Sequence, residues 1–274
     1  MYQEICKPTD NYYTHLKKLF QARRYDDMLS LVTGITPTSP YYTISKAWEI
    51  VTTGKISDSS GLGELIDYDR DIMVFDTGQG EILSKRDDLD NETRRIWHSM
   101  ECIKPDSRMP YRKGKKTRDI FEDESFNTET IFEVFSTCFA AFVCHIRQDA
   151  VLRSSKNAYL QGWQNVVAPT GSLGAHFHPG AWISLVYYPP RDGIVKNNNS
   201  SIVFGCYPEE MGGGDGIMKL EVEAKVGRII VFPAFMGHAV REQNANASRV
   251  SLAADIRFAY TQQDLTEHAV LHTS

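Results

Sequence analysis

The spacing of apolar positions along the chain changes character near residue 156. Before that point, apolar residues recur every three or four positions, which is the period of one face of an α-helix. These series predict a helix after Asp10 with Tyr13, Leu16, Leu19 and Phe20, a second with Tyr25, Met28, Leu29 and Val32, and further helices within 80–100 and over about 127–149. Loops are predicted over 54–70, and a short strand over 71–78. We therefore predict a mainly helical N-terminal region, residues 1–155, that supports the rest of the chain.

From residue 156 onward, the pattern is that of short strands separated by turns. Apolar and β-branched residues alternate with polar ones, and Gly, Asn and Asp lie between the segments. The predicted strands are 158–167, 175–190 with a break at Pro179-Gly180, 200–207, 216–224, 227–235, 237–243 and 248–260, and 169–174 is predicted to be a turn. No helical series separates them, which favours an antiparallel barrel or jelly roll. The predicted fold class is α+β, with a barrel over 156–274 and the N-terminal helices packed on it.

Composition narrows the classes of protein that this chain can be. Its 274 residues are 42% hydrophobic, enough for one large core, and its net charge of −5 does not favour nucleic-acid binding. A basic stretch at 108–118 is followed at once by acidic residues and predicts a solvated loop. The five cysteines are scattered without a C-x-x-C pair, and no apolar run reaches the ~20 residues of a membrane span. We expect a soluble cytoplasmic protein that binds neither nucleic acid nor a membrane.

Three histidines in the barrel half are candidate metal ligands. His176 and His178 are separated by one residue in a strand-like segment, so both side chains can lie on the same face. His238 follows sixty residues after His178, directly after another predicted strand. Two ligands from one strand and one from a neighbouring strand form a normal site for non-haem iron. A His-x-His pair alone is a weak signal, because most histidines are not ligands.

Arg249 and Ser251 strengthen the case for a binding site. They lie two residues apart in a predicted strand and therefore share one face. The apolar neighbours Val250, Leu252 and Ala253 predict a strand that is covered on both faces, where an unpaired charge is costly. A guanidinium at this place can bind a carboxylate through two parallel hydrogen bonds, and the hydroxyl can add a third. The pair predicts a buried anion.

As a set, these residues resemble a known family. From Trp163 to Phe258, about a third of the chain, the sequence is similar to the double-stranded β-helix core of iron(II)- and 2-oxoglutarate-dependent oxygenases. The residues that carry the resemblance are Trp163 and Asn165; His176, His178, Pro179, Ser184, Val186, Tyr187 and Tyr188; Gly227, Phe232, Pro233, His238 and Val240; Arg249 and Ser251. Their order and spacing agree with one group of the superfamily. The first 155 residues contribute nothing to the resemblance.

The resemblance implies a cofactor, a co-substrate and roles for these residues. His176 and His238 would bind Fe(II), and Arg249 with Ser251 would hold the distal carboxylate of 2-oxoglutarate. His178 stands where the superfamily usually has Asp or Glu, which leaves the site one positive charge richer. We keep His178 as a predicted ligand. Two alternatives stay open: His178 lies outside the ligand set with water in its place, or an acid such as Asp255 or Glu242 completes the site.

The resemblance also implies a reaction and a pocket. Molecular oxygen and 2-oxoglutarate would be consumed with formation of succinate and CO2, and a substrate C–H bond would be hydroxylated. Asn165 and Tyr187 are predicted to contact the co-substrate, and Trp182 the substrate, although either aromatic residue could equally be barrel core. The substrate would be a small molecule or an amino-acid side chain.

Two other functions are consistent with parts of the pattern. The first is a cupin-type metal dioxygenase that uses three histidines and no 2-oxoglutarate; the spacing of Gly227, Pro233 and His238 fits a cupin motif. That class lacks a need for Arg249 and Ser251, and the glutamate of its first motif is absent here. The second is a barrel without catalytic activity that binds a partner through its helical half. Stoichiometric iron in the purified protein would argue against this reading.

Overall fold

A computed structural model describes residues 2–56, 61–76, 80–99, 111–148, 151, 158–190, 201–241 and 248–260. Its helices are α1 (Tyr2–Gln21), α2 (Tyr25–Val32), α3 (Tyr42–Ile56), α4 (Leu62–Leu65), α5 (Tyr68–Asp71), α6 (Arg86–Ser99) and α7 (Glu129–His145), with 3₁₀ turns at Gly80–Lys85 and Glu209–Met211. Its strands are β1 (Met73–Asp76), β2 (Tyr111–Lys116), β3 (Ala158–His176), β4 (Ala181–Tyr187), β5 (Ser201–Phe204), β6 (Leu220–Glu223), β7 (Arg228–Pro233), β8 (His238–Val240) and β9 (Arg249–Phe258).

The strands form one strongly curled sheet in which every pair is antiparallel. Along the sheet the order is β1-β7-β4-β9-β3-β8-β5-β6, and β2 pairs with β3. The long strand β3 makes the curl possible: its first ten residues pair with β9, and its last residues pair with β8. This arrangement confirms the predicted fold class, a double-stranded β-helix with helices of the N-terminal half packed on it.

The helices cover one side of the barrel and share its core. Along α7, Ile131, Phe135, Phe139 and Phe142 are buried at the spacing of one helical face, and the helix packs on β4 and β7. Helix α3 contacts β4, where the Thr43 hydroxyl donates to the Ala181 carbonyl. One apolar cluster runs from α1 to the barrel strands. None of the helices in the described ranges is long and apolar enough to cross a membrane.

Three local predictions differ from the structure. The segment predicted as a turn, 169–174, belongs to β3; its Gly171 is a point of close approach, where a Cβ would come within 2.6 Å of the Arg112 carbonyl oxygen. The described part of the basic stretch, residues 111–118, contains β2 instead of a loop. The predicted loop over 54–70 contains the end of α3 and the short helices α4 and α5.

The N-terminal half also contributes to the sheet. Strand β1 pairs with β7, and β2 pairs with β3 over the register Lys116↔Asn165 to Tyr111↔Leu173. Neither sequence has the alternation of apolar and polar residues that is typical of a half-buried strand. Both segments form strands because a neighbouring barrel strand supplies the backbone hydrogen bonds. Strand β2 therefore brings two of its residues, Tyr111 and Lys116, to the cavity described next.

Candidate metal centre

The three histidines meet inside the barrel although they come from different elements. His176 ends β3 and pairs directly with His238 at the start of β8, while His178 lies in the turn before β4. The His178 backbone N–H donates to the Ala234 carbonyl at 3.0 Å, which fixes this turn against the segment after β7. One nitrogen from each ring lies within 4.8 Å of the other two. These are the three histidines that the sequence analysis named as candidate metal ligands.

Each imidazole is oriented by a hydrogen bond at its Nδ1 atom. His176 Nδ1 lies 2.9 Å from the Gly174 carbonyl oxygen, and His238 Nδ1 lies 2.9 Å from that of Met236. His178 Nδ1 lies 2.8 Å from a carboxylate oxygen of Asp255. These acceptors place the ring proton on Nδ1 in all three histidines, so that each Nε2 keeps a lone pair for a metal. Outer partners of this kind are typical of histidine ligands in metal sites.

The surroundings of His176 and His238 also keep these two rings in the neutral form that binds metals. Burial, followed by the nearby His178, lowers the pKa of His176 to about 4. Burial and the two neighbouring histidines hold the pKa of His238 well below its usual range. Both rings are therefore neutral at physiological pH, as a metal ligand must be.

A buried carboxylate stands behind His178. Asp255 is fully buried on β9; its Oδ1 accepts from the Ser184 hydroxyl at 2.7 Å as well as from His178, and its Oδ2 accepts from Arg257 Nη2 at 3.0 Å. Burial alone would raise the pKa of Asp255, but His178, Arg257 and Ser184 together hold it at about 2. The acid is therefore ionised and supplies a negative charge one hydrogen bond away from the histidine cluster.

Two acids were considered in the sequence as alternatives to His178. Asp255 lies behind His178 and is not a member of the three-histidine cluster, while Glu242 lies outside the described residues. Within the described chain, the cluster that fits a metal ion therefore has three imidazoles, and its carboxylate is an outer partner.

The histidines face a cavity of about 780 Å³ that β9 crosses from end to end. Alternate residues of β9 line it in the order Arg249, Ser251, Ala253, Asp255, Arg257, as expected for one face of a strand. Of the four residues predicted to bind the co-substrate, Arg249, Ser251 and Asn165 line the cavity.

Arg249 is a buried residue of the cavity lining. Its side chain is 6% exposed, and its guanidinium carbon lies 5.0 Å from the centre of the Tyr188 ring. The hydroxyl of Tyr188 is buried and has no hydrogen-bond partner among the described residues. Near it, Tyr111 of β2 donates a hydrogen bond to the Asn165 side chain. A buried guanidinium beside a buried hydroxyl suits a carboxylate.

Two predicted site residues lie elsewhere. Tyr187 is not in the cavity: its hydroxyl donates to Asp90 of α6, on the helical side of the sheet. Trp182 packs on Phe258 with ring centres 5.3 Å apart and does not line the cavity either. Every residue of β4 is buried. Because both faces of the strand are covered, its sequence does not show which side chains face the cavity.

Several residues that line the cavity were not predicted as site residues, among them Tyr188, Tyr111 and Lys116. Tyr188 follows Tyr187 directly and belongs to the same motif, so the pair could have been treated as alternatives. The other two belong to β2, whose basic composition gave no sign of a strand that reaches the site. Only the partner strand β3 reveals their position.

Comparison with known proteins agrees with this geometry. Residues 161–255 match the family described as "Putative 2OG-Fe(II) oxygenase". No curated protein matches the chain. The matched segment contains all three histidines, Arg249 and Ser251.

Solved structures show the same architecture at low sequence identity. The α-ketoglutarate-dependent carbocyclase SnoK from nogalamycin biosynthesis aligns with a TM-score of 0.51 at 6% identity, over 70% of this chain and 81% of its own. The epimerase SnoN from the same biosynthesis aligns with a TM-score of 0.50 at 13% identity, over 70% and 78%. A prolyl-4-hydroxylase of Pseudomonas putida aligns at 15% identity over 78% and 99%, with a TM-score of 0.49.

The matched sequence segment and the shared barrel agree with the resemblance seen in the sequence. Over residues 161–255 the chain thus matches the family model of 2OG-Fe(II) oxygenases, and its barrel has the fold of the two solved structures with TM-scores of 0.50 and 0.51.

Proposed function

We propose that this protein is an Fe(II)- and 2-oxoglutarate-dependent oxygenase that hydroxylates a C–H bond of a small molecule or an amino-acid side chain. One observation carries the proposal: three oriented imidazoles face the same cavity as Arg249 and Ser251. The imidazoles provide a metal site, and the guanidinium with the hydroxyl provides a carboxylate site. Both are needed when a 2-oxo acid binds a metal at one end and the protein at the other.

In this proposal, His176, His178 and His238 are the metal ligands. Three nitrogen ligands would suit Fe(II) and would leave room at the ion for further ligands. Asp255 then supplies the negative charge that a carboxylate ligand usually brings. It does so from behind His178, without binding the metal itself. When bound, iron supplies the activation of molecular oxygen.

The remaining residues hold and orient the co-substrate. Arg249 and Ser251 bind the distal carboxylate of 2-oxoglutarate through charge-assisted hydrogen bonds, and the Tyr188 hydroxyl adds another. Asn165, fixed by Tyr111, contacts the co-substrate from the side of β3. Arg249, Ser251 and Asn165 are buried, and the low dielectric constant of a buried site strengthens such contacts.

The overall reaction then balances as follows. A substrate R–H, O2 and 2-oxoglutarate yield R–OH, succinate and CO2; one oxygen atom enters the substrate, and the other enters the new carboxylate of succinate. The two-electron oxidation of the substrate and the oxidative decarboxylation together reduce O2 completely. No additional reductant is needed for the coupled reaction.

The first test is the formation of succinate. Purified protein with Fe(II), 2-oxoglutarate and oxygen should form succinate slowly even without substrate, as measured by NMR, and a true substrate should accelerate this. Oxygen consumption without any succinate would instead favour a cupin-type dioxygenase, since that class does not use the 2-oxo acid. Absence of iron binding would favour a barrel that acts only as a binding module.

Asp255→Asn is expected to weaken Fe(II) binding by about 10- to 100-fold, the usual cost of losing an outer partner of a ligand. The amide keeps the volume of the carboxylate but removes its charge, so that His178 becomes a poorer and less firmly held ligand. Equilibrium dialysis against a competing chelator measures the change. Unchanged iron affinity would show that the carboxylate does not support the metal site.

A second substitution separates a charge effect from a folding defect. In the Asp255→Asn background, His178→Asp returns a carboxylate to the metal itself, and we expect this double variant to regain part of the lost affinity. Damage to the fold at Asp255 would not be repaired by a change at His178. The pair therefore reports where the negative charge is needed.

The neighbouring tyrosines of β4 provide a matched comparison. Tyr188→Phe should raise the Kd for 2-oxoglutarate roughly tenfold, the value of one hydrogen bond to a charged group, with little loss of stability. Tyr187→Phe should leave that Kd unchanged, but it should lower the free energy of unfolding by about 1–3 kcal/mol, because Asp90 loses its buried donor. Binding titrations and chemical unfolding distinguish the two. A Kd for 2-oxoglutarate that rises in Tyr187→Phe and not in Tyr188→Phe would instead place Tyr187 at the co-substrate.

A further inference from the structure

The cavity has a second cationic end, opposite Arg249. Arg249 and Arg257 lie eight residues apart on the cavity-facing side of β9, with Asp255 and the histidines between them. At the Arg257 end, Lys116 of β2 also lines the cavity. The co-substrate requires only one of these ends. The other end is left for a different ligand.

Lys116 is held close to the metal site by the stacking of side chains. Its Nζ lies 4.9 Å from the centre of the Trp163 ring, and the centre of that ring lies 5.7 Å from the centre of the His178 ring. The side chain is half-buried, and burial lowers the pKa of Lys116. Lys116 is thus a partly desolvated cation on a wall of the cavity, and a surface lysine would not have this environment.

Nearby acids do not satisfy this ammonium. In the described chain, it has no hydrogen bond and no carboxylate within 4.0 Å. Asp255 is engaged through both oxygens with His178, Ser184 and Arg257. Asp119 turns its Oδ1 to the backbone N–H groups of Phe121 and Gly162. A half-buried cation without an ion pair favours a bound anion.

Arg257 adds a second donor at the same place. Its Nη2 is bonded to Asp255, but its Nε is buried and has no hydrogen-bond partner among the described residues. The side chain lines the cavity and is 21% exposed. A guanidinium that Asp255 already holds in place can bind an anion without being reorganised.

We propose that the substrate carries an anionic group, a carboxylate or a phosphate, that binds between Lys116 and Arg257 beside Trp163. This inference rests on the proposed function, and it adds a substrate class to it. The anion anchors the substrate at the opposite side of the histidines from 2-oxoglutarate. The C–H bond to be oxidised then lies between the anion and the metal, and the Trp163 ring provides an apolar wall for the part that connects them.

The site is tested with two simple anions, acetate and inorganic phosphate. Each is titrated by calorimetry into the protein loaded with Fe(II) and with just enough 2-oxoglutarate to fill its site, under argon, replacing chloride at constant ionic strength. We expect saturable binding in the millimolar range. The anion that binds more tightly identifies the chemistry of the substrate group.

The variants Lys116→Met and Lys115→Met form a matched pair on β2. Each removes one positive charge, but Lys115 is exposed and does not line the cavity. Lys116→Met should weaken anion binding roughly tenfold or more, because one charge-assisted hydrogen bond is lost, and Lys115→Met should change it less than about twofold. Lys116→Arg keeps the charge and should restore most of the affinity, which guards against a defect in folding.

Two results would overturn the inference: wild-type protein that shows no saturable binding of either anion, or equal binding in wild type and Lys116→Met. The same sample separates this inference from the proposed function, because the visible absorption of the Fe(II)–2-oxoglutarate complex is recorded before the anion is added. That absorption without anion binding contradicts only the substrate class. Anion binding without that absorption contradicts only the oxygenase.

Discussion

Replacing His238 with alanine is expected to reduce Fe(II) affinity by more than about 100-fold, above the range found for outer partners of a ligand. His238 is buried, and its Nδ1 proton is held by the Met236 carbonyl, so that its Nε2 is already placed for the metal. Among the described residues, the cluster has no fourth side chain that could bind the metal in place of His238. Metal content after purification in Fe(II), together with a competition titration, measures the loss.

The controls for this variant are two other histidine substitutions. His176→Ala should behave as His238→Ala does, because the two residues pair across β3 and β8 and occupy equivalent places in the cluster. His145→Ala should leave iron binding unchanged, because His145 ends α7 on the surface and, among the described residues, hydrogen-bonds the Arg70 carbonyl alone. Wild-type iron affinity in His238→Ala, with the fold intact, would contradict the three-histidine site.

Arg249→Met is expected to raise the Kd for 2-oxoglutarate by about 30-fold to several thousand-fold, which corresponds to the roughly 2–5 kcal/mol lost when one partner of a buried, hydrogen-bonded charge pair is truncated. The methionine fills a similar space beside Tyr188 but cannot neutralise or bind a carboxylate. Iron affinity without 2-oxoglutarate should stay close to that of wild type, because Arg249 is not a ligand. Titration of the iron-loaded protein measures both constants.

Arg249→Lys tests the geometry of the site as well as its charge. A lysine keeps the positive charge but offers no pair of parallel donors, so we expect an affinity between those of wild type and Arg249→Met. Arg241→Met is the matched surface control, since this exposed arginine follows β8 and pairs only with Glu221. Tight binding of 2-oxoglutarate by Arg249→Met would place the co-substrate elsewhere and would remove the main argument against a cupin-type enzyme.

The barrel and its main site could be predicted from the sequence because their signals are local. Alternation along each strand has a period of two, and it placed His176 and His178 on one face and Arg249 and Ser251 on another. The breaks at Pro179-Gly180 and after β7 placed His178 and His238 next to strand ends. These inferences did not require knowledge of which strands are neighbours in the sheet. The exception is the contact between His238 and His176, which depends on the pairing of β8 with β3.

Other features depend on neighbours and could not be predicted. Helix α3 has buried residues around nearly its whole circumference, so it lacks the one-sided pattern that indicates an amphipathic helix. Strand β2 is polar and basic, and only its pairing with β3 makes it a strand. Tyr187 and Tyr188 are both almost fully buried, and composition does not reveal which of them faces the cavity.

The partner of His178 shows the same limit at the site itself. Asp255 was considered as a ligand because it is an acid in the right strand, but its position behind His178 depends on the register of β4, β9 and the turn between β3 and β4. Ser184↔Asp255 are directly opposite in that register. The ligand set thus contains no carboxylate, but one lies a single hydrogen bond away from it. The spacing of residues in the sequence does not reveal this position.

The measurement that tests the central claim most directly is a titration of 2-oxoglutarate into the Fe(II)-loaded protein without oxygen, followed by visible absorption. The 2-oxo acid chelated to iron has a weak charge-transfer band, so the account predicts this band in wild type, its loss in His176→Ala and His238→Ala, and its appearance only at much higher concentration in Arg249→Met. Tight iron binding in wild type with no band at any 2-oxoglutarate concentration would contradict the oxygenase and favour a cupin-type metal site.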